Sequence, residues 1–274
     1  MRSVILFAAV FADAALLLSA PEKISLAGLG AFLALLLSLV ILFSRAIEWP
    51  GAGGSPLPAV AALALCGLNP AAIASVSRAV DSNLCTALAG IAAGIAICRW
   101  IPSRGWHRWA ALLPAIPCLL LHKVGIAFGP LAIVSALCFD RRANLWPTLA
   151  ISAAAGVIYR GAAFHPVDSI VAVPATIASF VAPFAPSAAS GWNVVDGVTS
   201  TLVVLAGAMA PIAGFGSPGI SFGLFWFLAM TWLAPGEPVA AFPGIAIALV
   251  SAVLPLLSAL RAARKPNLPE VVAP

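Results

Sequence analysis

Apolar residues are arranged along the chain in long runs that short polar segments separate. Eleven such runs cover residues 4–20, 26–43, 57–76, 84–98, 106–121, 124–139, 145–159, 167–185, 198–215, 220–233 and 239–260. Apolar runs of about 20 residues are typical of membrane-spanning helices. The pattern predicts an all-α, polytopic integral membrane protein. Residues 1–260 would form a single transmembrane domain, and residues 261–274 a disordered cytoplasmic tail.

Composition strengthens this prediction. Of the 274 residues, 62% are hydrophobic and only 8% are charged, with a mean hydropathy of +1.09. Soluble domains carry about 25% charged residues. Ten spans of about 20 residues would leave roughly 70 residues for all loops and tails. We therefore expect no folded domain outside the membrane.

The distribution of charge predicts how many runs cross. Eleven crossings from a cytoplasmic N-terminus would place the basic tail outside, which the positive-inside rule disfavours. The run 167–185 contains Pro174 and Pro183, and Asp168 lies near its start. We expect this segment to be re-entrant or interfacial, which leaves about ten crossings in a bacterial inner membrane. Both termini would then be cytoplasmic, with ten basic residues inside and four outside, the latter being Lys23, Arg78, Lys123 and Arg160.

Several function classes fit the sequence poorly. The net charge of +5 reflects loop charges that set orientation, so we expect no nucleic-acid partner. The five cysteines are scattered singly, a spacing that favours apolar packing over zinc or disulfide sites. The three histidines fall on both predicted faces, so we expect no metal site. Membrane lipids and other membrane subunits are the expected partners.

Ionisable residues in or beside a span are costly and mark candidate sites. Asp13 lies within the first run, where it could bind a cation, pair with a basic residue, or be protonated. A signal peptidase would have to cleave after Ala20. Asp13 inside the run and Pro21 directly after that bond are both unfavourable for such cleavage, so we expect the first helix to be retained. On the predicted outer face, Arg78, Lys123 and Arg160 could bind a phosphate head group or extend to lipid phosphates.

Four segments resemble, in order, the membrane region of a glycosyltransferase family. They are GLNPAAIASVSRAVDSN at 67–83, LLLHKVGIAFGPLAIVSALCFDRR at 119–142, VAPFAPSAASGWN at 181–193 and SPGISFGLFWFLAM at 217–230. These stretches are similar to polytopic GT-C enzymes of the tetratricopeptide-linked O-mannosyltransferase type. The resemblance covers roughly residues 26–260. It implies a GT-C-like fold in a shortened, degenerate form.

The chain differs from this family at the positions where the family has its catalytic and substrate-binding residues. Such enzymes place acidic residues in a large outer loop after the first helix, whereas here the short stretch PEKIS joins the first two runs. Asn69 stands in place of the family's His, and the Ser-Lys-Glu triplet is reduced to Lys123. If the chain is active, the resemblance implies Glu22, Asp81 or Glu237 as the base. Arg78, Lys123 and Arg160 would then hold a lipid-linked sugar donor, and a divalent cation could assist.

Three functions are compatible with the sequence. The missing loop and the Ala- and Gly-rich spans favour a non-catalytic accessory or scaffold subunit of a larger membrane complex, with no cofactor. The first alternative is an active polyprenyl-phosphate-sugar-dependent glycosyltransferase on the outer face. The second is a small transporter or flippase, although the helix break at Asn69-Pro70 has no clear counterpart in the second half.

Overall fold

The protein is described here from a computed structural model that places residues 26–49, 52–67, 82–100, 113–139, 166–181 and 217–264, with 150, 153, 154 and 157. Within these ranges all regular structure is helical, which confirms the predicted all-α class. The helices are α1 Leu26–Ile41, α2 Leu57–Gly67, α3 Ser82–Trp100, α4 Ala115–Leu121, α5 Phe128–Cys138, α6 Pro166–Val181, α7 Pro218–Leu233 and α8 Pro238–Arg264. A π-helical turn, Leu42–Ala46, extends α1, and a 3-10 turn, Lys123–Ala127, precedes α5.

Three of the described helical stretches are long and apolar enough to cross a membrane. They are Leu26–Ala46, Ser82–Arg99 and Pro238–Pro255. Shorter apolar helices cover Leu57–Gly67, Lys123–Cys138, Ile170–Phe180 and Pro218–Leu233. These helices support association with a membrane. The expected total of about ten crossings includes runs that lie outside the described residues, and it stays a prediction.

The helices differ from the predicted runs at three places. Within the run 106–121, α4 begins only at Ala115, after a turn. The run 124–139 does not form one long helix, because a 3-10 turn occupies its first residues and α5 has only 11 residues. Extended backbone at His122 (φ −151°, ψ 146°) ends α4 before this turn. Gly125 and Gly129, which have low helix propensity, lie in or next to the turn. At the other end of the chain, α8 continues through Arg264, into the predicted tail.

The hairpin of α7 and α8 is held together by two facing glycines. A Cβ atom added at Gly244 would lie 2.5 Å from both the Gly223 carbonyl oxygen and the Phe227 amide nitrogen. A Cβ added at Gly223 would lie 2.6 Å from the Ala248 nitrogen. The two backbones therefore approach so closely that only glycine fits at either position. Close helix approach through small residues is a common way to associate helices in lipid.

Large side chains fill the core around this hairpin. Trp226 is fully buried, and its indole N–H donates to the Ala240 carbonyl oxygen across the hairpin at 3.0 Å. Phe222 meets the Trp226 ring edge-on with centroids 6.1 Å apart. Phe180 of α6 packs in the same way on Phe242 of α8 at 5.4 Å. Trp226 is therefore a packing residue of the core.

The GxxxG spacing at Gly90 and Gly94 also marks a close approach. A Cβ added at Gly90 would overlap the Cys118 sulfur of α4, and one added at Gly94 would lie 2.7 Å from the Phe128 ring of α5. Cys118 itself is buried between these helices. The spacing therefore brings α4 and α5 against α3, and Cys118 acts here as a small packing residue.

Candidate functional site

The described helices define two ends of the bundle. The Arg99 side chain of α3 donates to the Ala46 carbonyl oxygen, so α1 and α3 end side by side. Phe139, after α5, stacks edge-on against Phe222 near the start of α7, with centroids 5.6 Å apart. Arg99 lies over the Phe139 ring, 5.1 Å from its centroid. We call this the Arg99 end, and the opposite end, where Glu237 lies in the turn between α7 and α8, the Glu237 end.

At the Arg99 end, one guanidinium connects three segments of the chain. Arg99 is only 11% exposed, and besides Ala46 it pairs with Glu48, with 3.3 Å between Nη2 and Oε1. Trp49 beside it donates its indole N–H to the Phe43 carbonyl oxygen at 2.8 Å. Because Arg99 caps the carbonyl end of the first helix and contacts the Phe139 ring, it fixes the ends of α1, α3 and α5 relative to one another.

A cavity of about 390 Å³ opens beside this cluster. Glu48 and Trp49 line it together with Phe43, Ser55 and the Gly54 backbone. Gly54 has φ of +77°, a left-handed conformation that glycine adopts without strain. The Glu48 carboxylate in this cavity is already paired with Arg99, which limits the negative charge it offers to a ligand.

Two of the predicted site residues lie at the Glu237 end. Glu237 is half-buried in the turn, where its amide donates to the Ala234 carbonyl oxygen at 3.1 Å. Lys123 begins the 3-10 turn before α5 and is also half-buried. Since α5 ends beside the start of α7, the 3-10 turn lies toward the end of α7 and hence toward this end of the bundle. The predicted position of both residues on the outer face of the membrane stays a prediction.

His122 shapes the chain next to Lys123. Its Nδ1 atom accepts a hydrogen bond from the Val124 amide at 3.2 Å. This bond requires Nδ1 to be unprotonated, so the neutral ring carries its proton on Nε2. The contact caps the 3-10 turn and explains locally why the chain reverses at His122-Lys123.

A second cavity, of about 470 Å³, lies at the Glu237 end. One wall is a single face of α6, and the other is the turn between α7 and α8. The described lining residues are Asp168, Val171, Ala172, Ala175, Thr176, Ser179, Pro235, Gly236 and Pro238. Asp168, at the start of α6, is exposed, whereas Thr176 is 6% exposed. The cavity therefore has an open acidic end and a buried hydroxyl.

The helix that forms this wall belongs to the segment predicted not to cross the membrane. α6 contains Pro174, and Asp168 lies in its first turn. The predicted re-entrant or interfacial position of this segment stays a prediction.

The other predicted site residues, Asp13, Glu22, Arg78, Asp81 and Arg160, lie outside the described residues, so their proposed roles stay predictions. In the described ranges, no group of three or more His, Cys, Asp or Glu side chains comes together.

Two features of the structure, the ion pair of Glu48 with Arg99 and the cavity beside Asp168, were not predicted from the sequence. The pair of Glu48 and Arg99 could have been found because each residue adjoins a Trp at the end of an apolar run, on the same predicted side. No sequence pattern predicted the cavity beside Asp168, because its lining combines α6 with a turn that lies far away in the sequence.

Comparison of the sequence with models of protein families, and of the chain with characterised proteins and solved structures, returned no match. The resemblance to GT-C transferases therefore rests on the four segments alone.

Proposed function

We propose that this chain is a non-catalytic accessory subunit of a larger membrane complex, and that it binds its partner through the last two turns of α8. The observation that carries the proposal is the exposure of large apolar side chains in the last turns of α8. Leu257 is 43% and Leu260 is 53% exposed. Both lie close to Arg261 and Arg264, at the C-terminal end of the helix.

α8 is longer than the hydrocarbon core of a membrane is thick. Its 27 residues measure about 40 Å along the helix axis, compared with a hydrocarbon core of about 30 Å. Arg261 and Arg264 are costly to bury in hydrocarbon, so we place the C-terminal residues 256–264, the extension of α8, at and beyond the membrane surface. A protein surface can cover Leu257 and Leu260 there.

The chemistry of the extension indicates the kind of partner. Its sequence, LLSALRAAR, places Leu257 and Leu260 three residues apart, on one face, and adds Arg261 and Arg264. The partner that fits is a helix of a second membrane subunit with apolar side chains flanked by acidic ones. The extension leaves the bundle at the Arg99 end, which the charge pattern assigns to the cytoplasmic side.

The double variant Leu257→Ser/Leu260→Ser tests this proposal. After gentle detergent extraction from native membranes, we expect the wild type to co-purify with a second membrane subunit at fixed stoichiometry. The variant should lose at least 90% of that subunit, because interface anchors carry most of the binding energy. Its thermal unfolding should match that of the wild type, since both leucines are exposed. A wild-type chain that purifies alone would contradict the proposal.

The second candidate function is a lipid-linked sugar transferase, and one observation favours it. Glu237 and Lys123, a possible base and a phosphate ligand, lie at the same end of the bundle. A carboxylate can act as the base for an acceptor hydroxyl, while a Lys stabilises a leaving phosphate.

A deletion strain separates this candidate from the accessory role. If the chain is an enzyme, deletion removes a surface glycan that the wild type restores. Glu237→Ala should then restore less than about 1% of it, because losing a general base costs about 100-fold or more in rate. Glu22→Ala and Asp81→Ala test the other predicted bases. Glu48→Ala, at the opposite end, is the control and should restore the glycan fully. An unchanged glycan in the deletion strain excludes this candidate.

A further inference from the structure

We propose that the cavity beside α6 binds an ammonium group, carried either by a small linear amine or by the head group of an aminolipid. The inference is independent of the accessory role. It rests on the hydrogen-bonding character of the lining, the position of its charge and its shape.

The lining side chains can accept hydrogen bonds but have no proton left to donate. The Thr176 hydroxyl donates to the Ala172 carbonyl oxygen at 2.8 Å, and the Ser179 hydroxyl donates to the Ala175 carbonyl oxygen at 2.9 Å. Both hydroxyl oxygens keep lone pairs only. In the opposite wall Pro235 and Pro238 have no backbone N–H, and Gly236 between them is the lining residue that has one. A ligand that satisfies the side chains of this lining must supply hydrogen-bond donors.

The charge of the lining further limits the chemical classes of ligand that fit the cavity. Asp168 is the charged side chain among the described lining residues, and an ionised carboxylate accepts hydrogen bonds only. Glu237 adds a second acidic residue in the adjacent turn. An ammonium group supplies up to three donors and the opposite charge, and hydrogen bonds between charged partners are the strong ones. A neutral polyol supplies donors without the charge.

The shape of the cavity favours a linear ligand. Its α6 wall runs from Asp168 to Ser179, which spans about 16 Å along the helix. Between these ends the wall carries Val171, Ala172, Ala175 and Thr176, none of which is larger than a Val, so a narrow chain can lie along the helix. The ammonium group would sit at Asp168, and the chain would point toward Ser179.

Two probes distinguish the source of the ammonium group. The full chain in maltoside detergent is titrated with cadaverine by calorimetry, and its adducts with phosphatidylethanolamine are counted by native mass spectrometry. Phosphatidylcholine, whose ammonium carries no N–H, is the matched lipid. We expect at least one of cadaverine and phosphatidylethanolamine to bind. Cadaverine alone would identify a soluble amine, and phosphatidylethanolamine alone would identify a lipid.

The variants locate the binding site. Asp168→Asn should weaken binding at least tenfold, and Ala175→Leu, at an exposed helix position, should block the cavity to a similar extent. Glu48→Gln makes the same charge change in the cavity at the Arg99 end and should leave affinity unchanged. The proposal is overturned if neither probe binds, if Asp168→Asn binds as tightly as the wild type, or if glycerol competes as well as cadaverine.

Discussion

Replacing Gly244 with Ala should lower the apparent melting temperature of the protein by roughly 6–12 °C. The added Cβ would lie 2.5 Å from the Gly223 oxygen and the Phe227 nitrogen, and both of these are backbone atoms. Backbone cannot rotate away as a side-chain tip can, so α7 and α8 must separate. Overpacking of this kind costs about 3 kcal/mol, and each kcal/mol shifts the melting temperature of a chain this size by about 2–4 °C.

Gly30→Ala is the matched control for this prediction. Gly30 lies in α1, and a Cβ added there meets nothing within 4 Å. The same chemical change should therefore leave stability unchanged or raise it by up to about 1 kcal/mol, because Ala has the higher helix propensity. Thermal unfolding of both variants in the same detergent gives the comparison. Equal melting temperatures for the two variants would show that α7 and α8 do not meet at these glycines.

Replacing Arg99 with Met should destabilise the Arg99 end by about 3 kcal/mol. The variant loses the donors to Ala46 and Glu48 and the contact with the Phe139 ring. Hydrogen bonds to charged groups contribute about 1.5–3 kcal/mol, and a cation over an aromatic ring adds about 0.5–1 kcal/mol. Met keeps most of the apolar part of the Arg side chain. The lost stability therefore measures the interactions of the guanidinium group rather than the packing of the side-chain methylenes.

Two further variants show which interactions of Arg99 account for the lost stability. Glu48→Gln should cost less than about 1 kcal/mol, because Glu48 is 69% exposed and exposed ion pairs contribute little. Arg99→Lys should recover part of the stability, since a Lys keeps the charge but not the planar pair of donors. Thermal unfolding measures all three variants. If Arg99→Met melts like the wild type, Arg99 does not hold the ends of the helices together.

The sequence predicted the helical class and several element boundaries because apolar periodicity acts locally. The run 220–233 became α7, Pro218–Leu233, and the run 84–98 became α3, Ser82–Trp100. The apolar run 124–139 did not predict the 3-10 turn Lys123–Ala127 at its start, because an uninterrupted apolar run carries no signal for such a turn.

The cavities could not be predicted in the same way. Asp168 and Gly236 line one cavity although almost 70 residues separate them in the sequence. Their meeting depends on how α6 packs against the α7–α8 hairpin through Phe180 and Phe242, and no local pattern encodes that contact. Loop charge predicts that Lys123 and Glu237 lie on the outer face of the membrane, and this orientation stays a prediction.

Site-specific photo-crosslinking in native membranes tests the proposed accessory role most directly. A benzophenone side chain is placed at Leu260, in the C-terminal extension of α8, or at Leu37, which is 42% exposed within the span Leu26–Ala46. We predict that position 260 yields one discrete adduct with a second membrane subunit, whereas position 37 yields lipid adducts. Lipid adducts alone at both positions would contradict the account, because the extension of α8 would then have no protein partner.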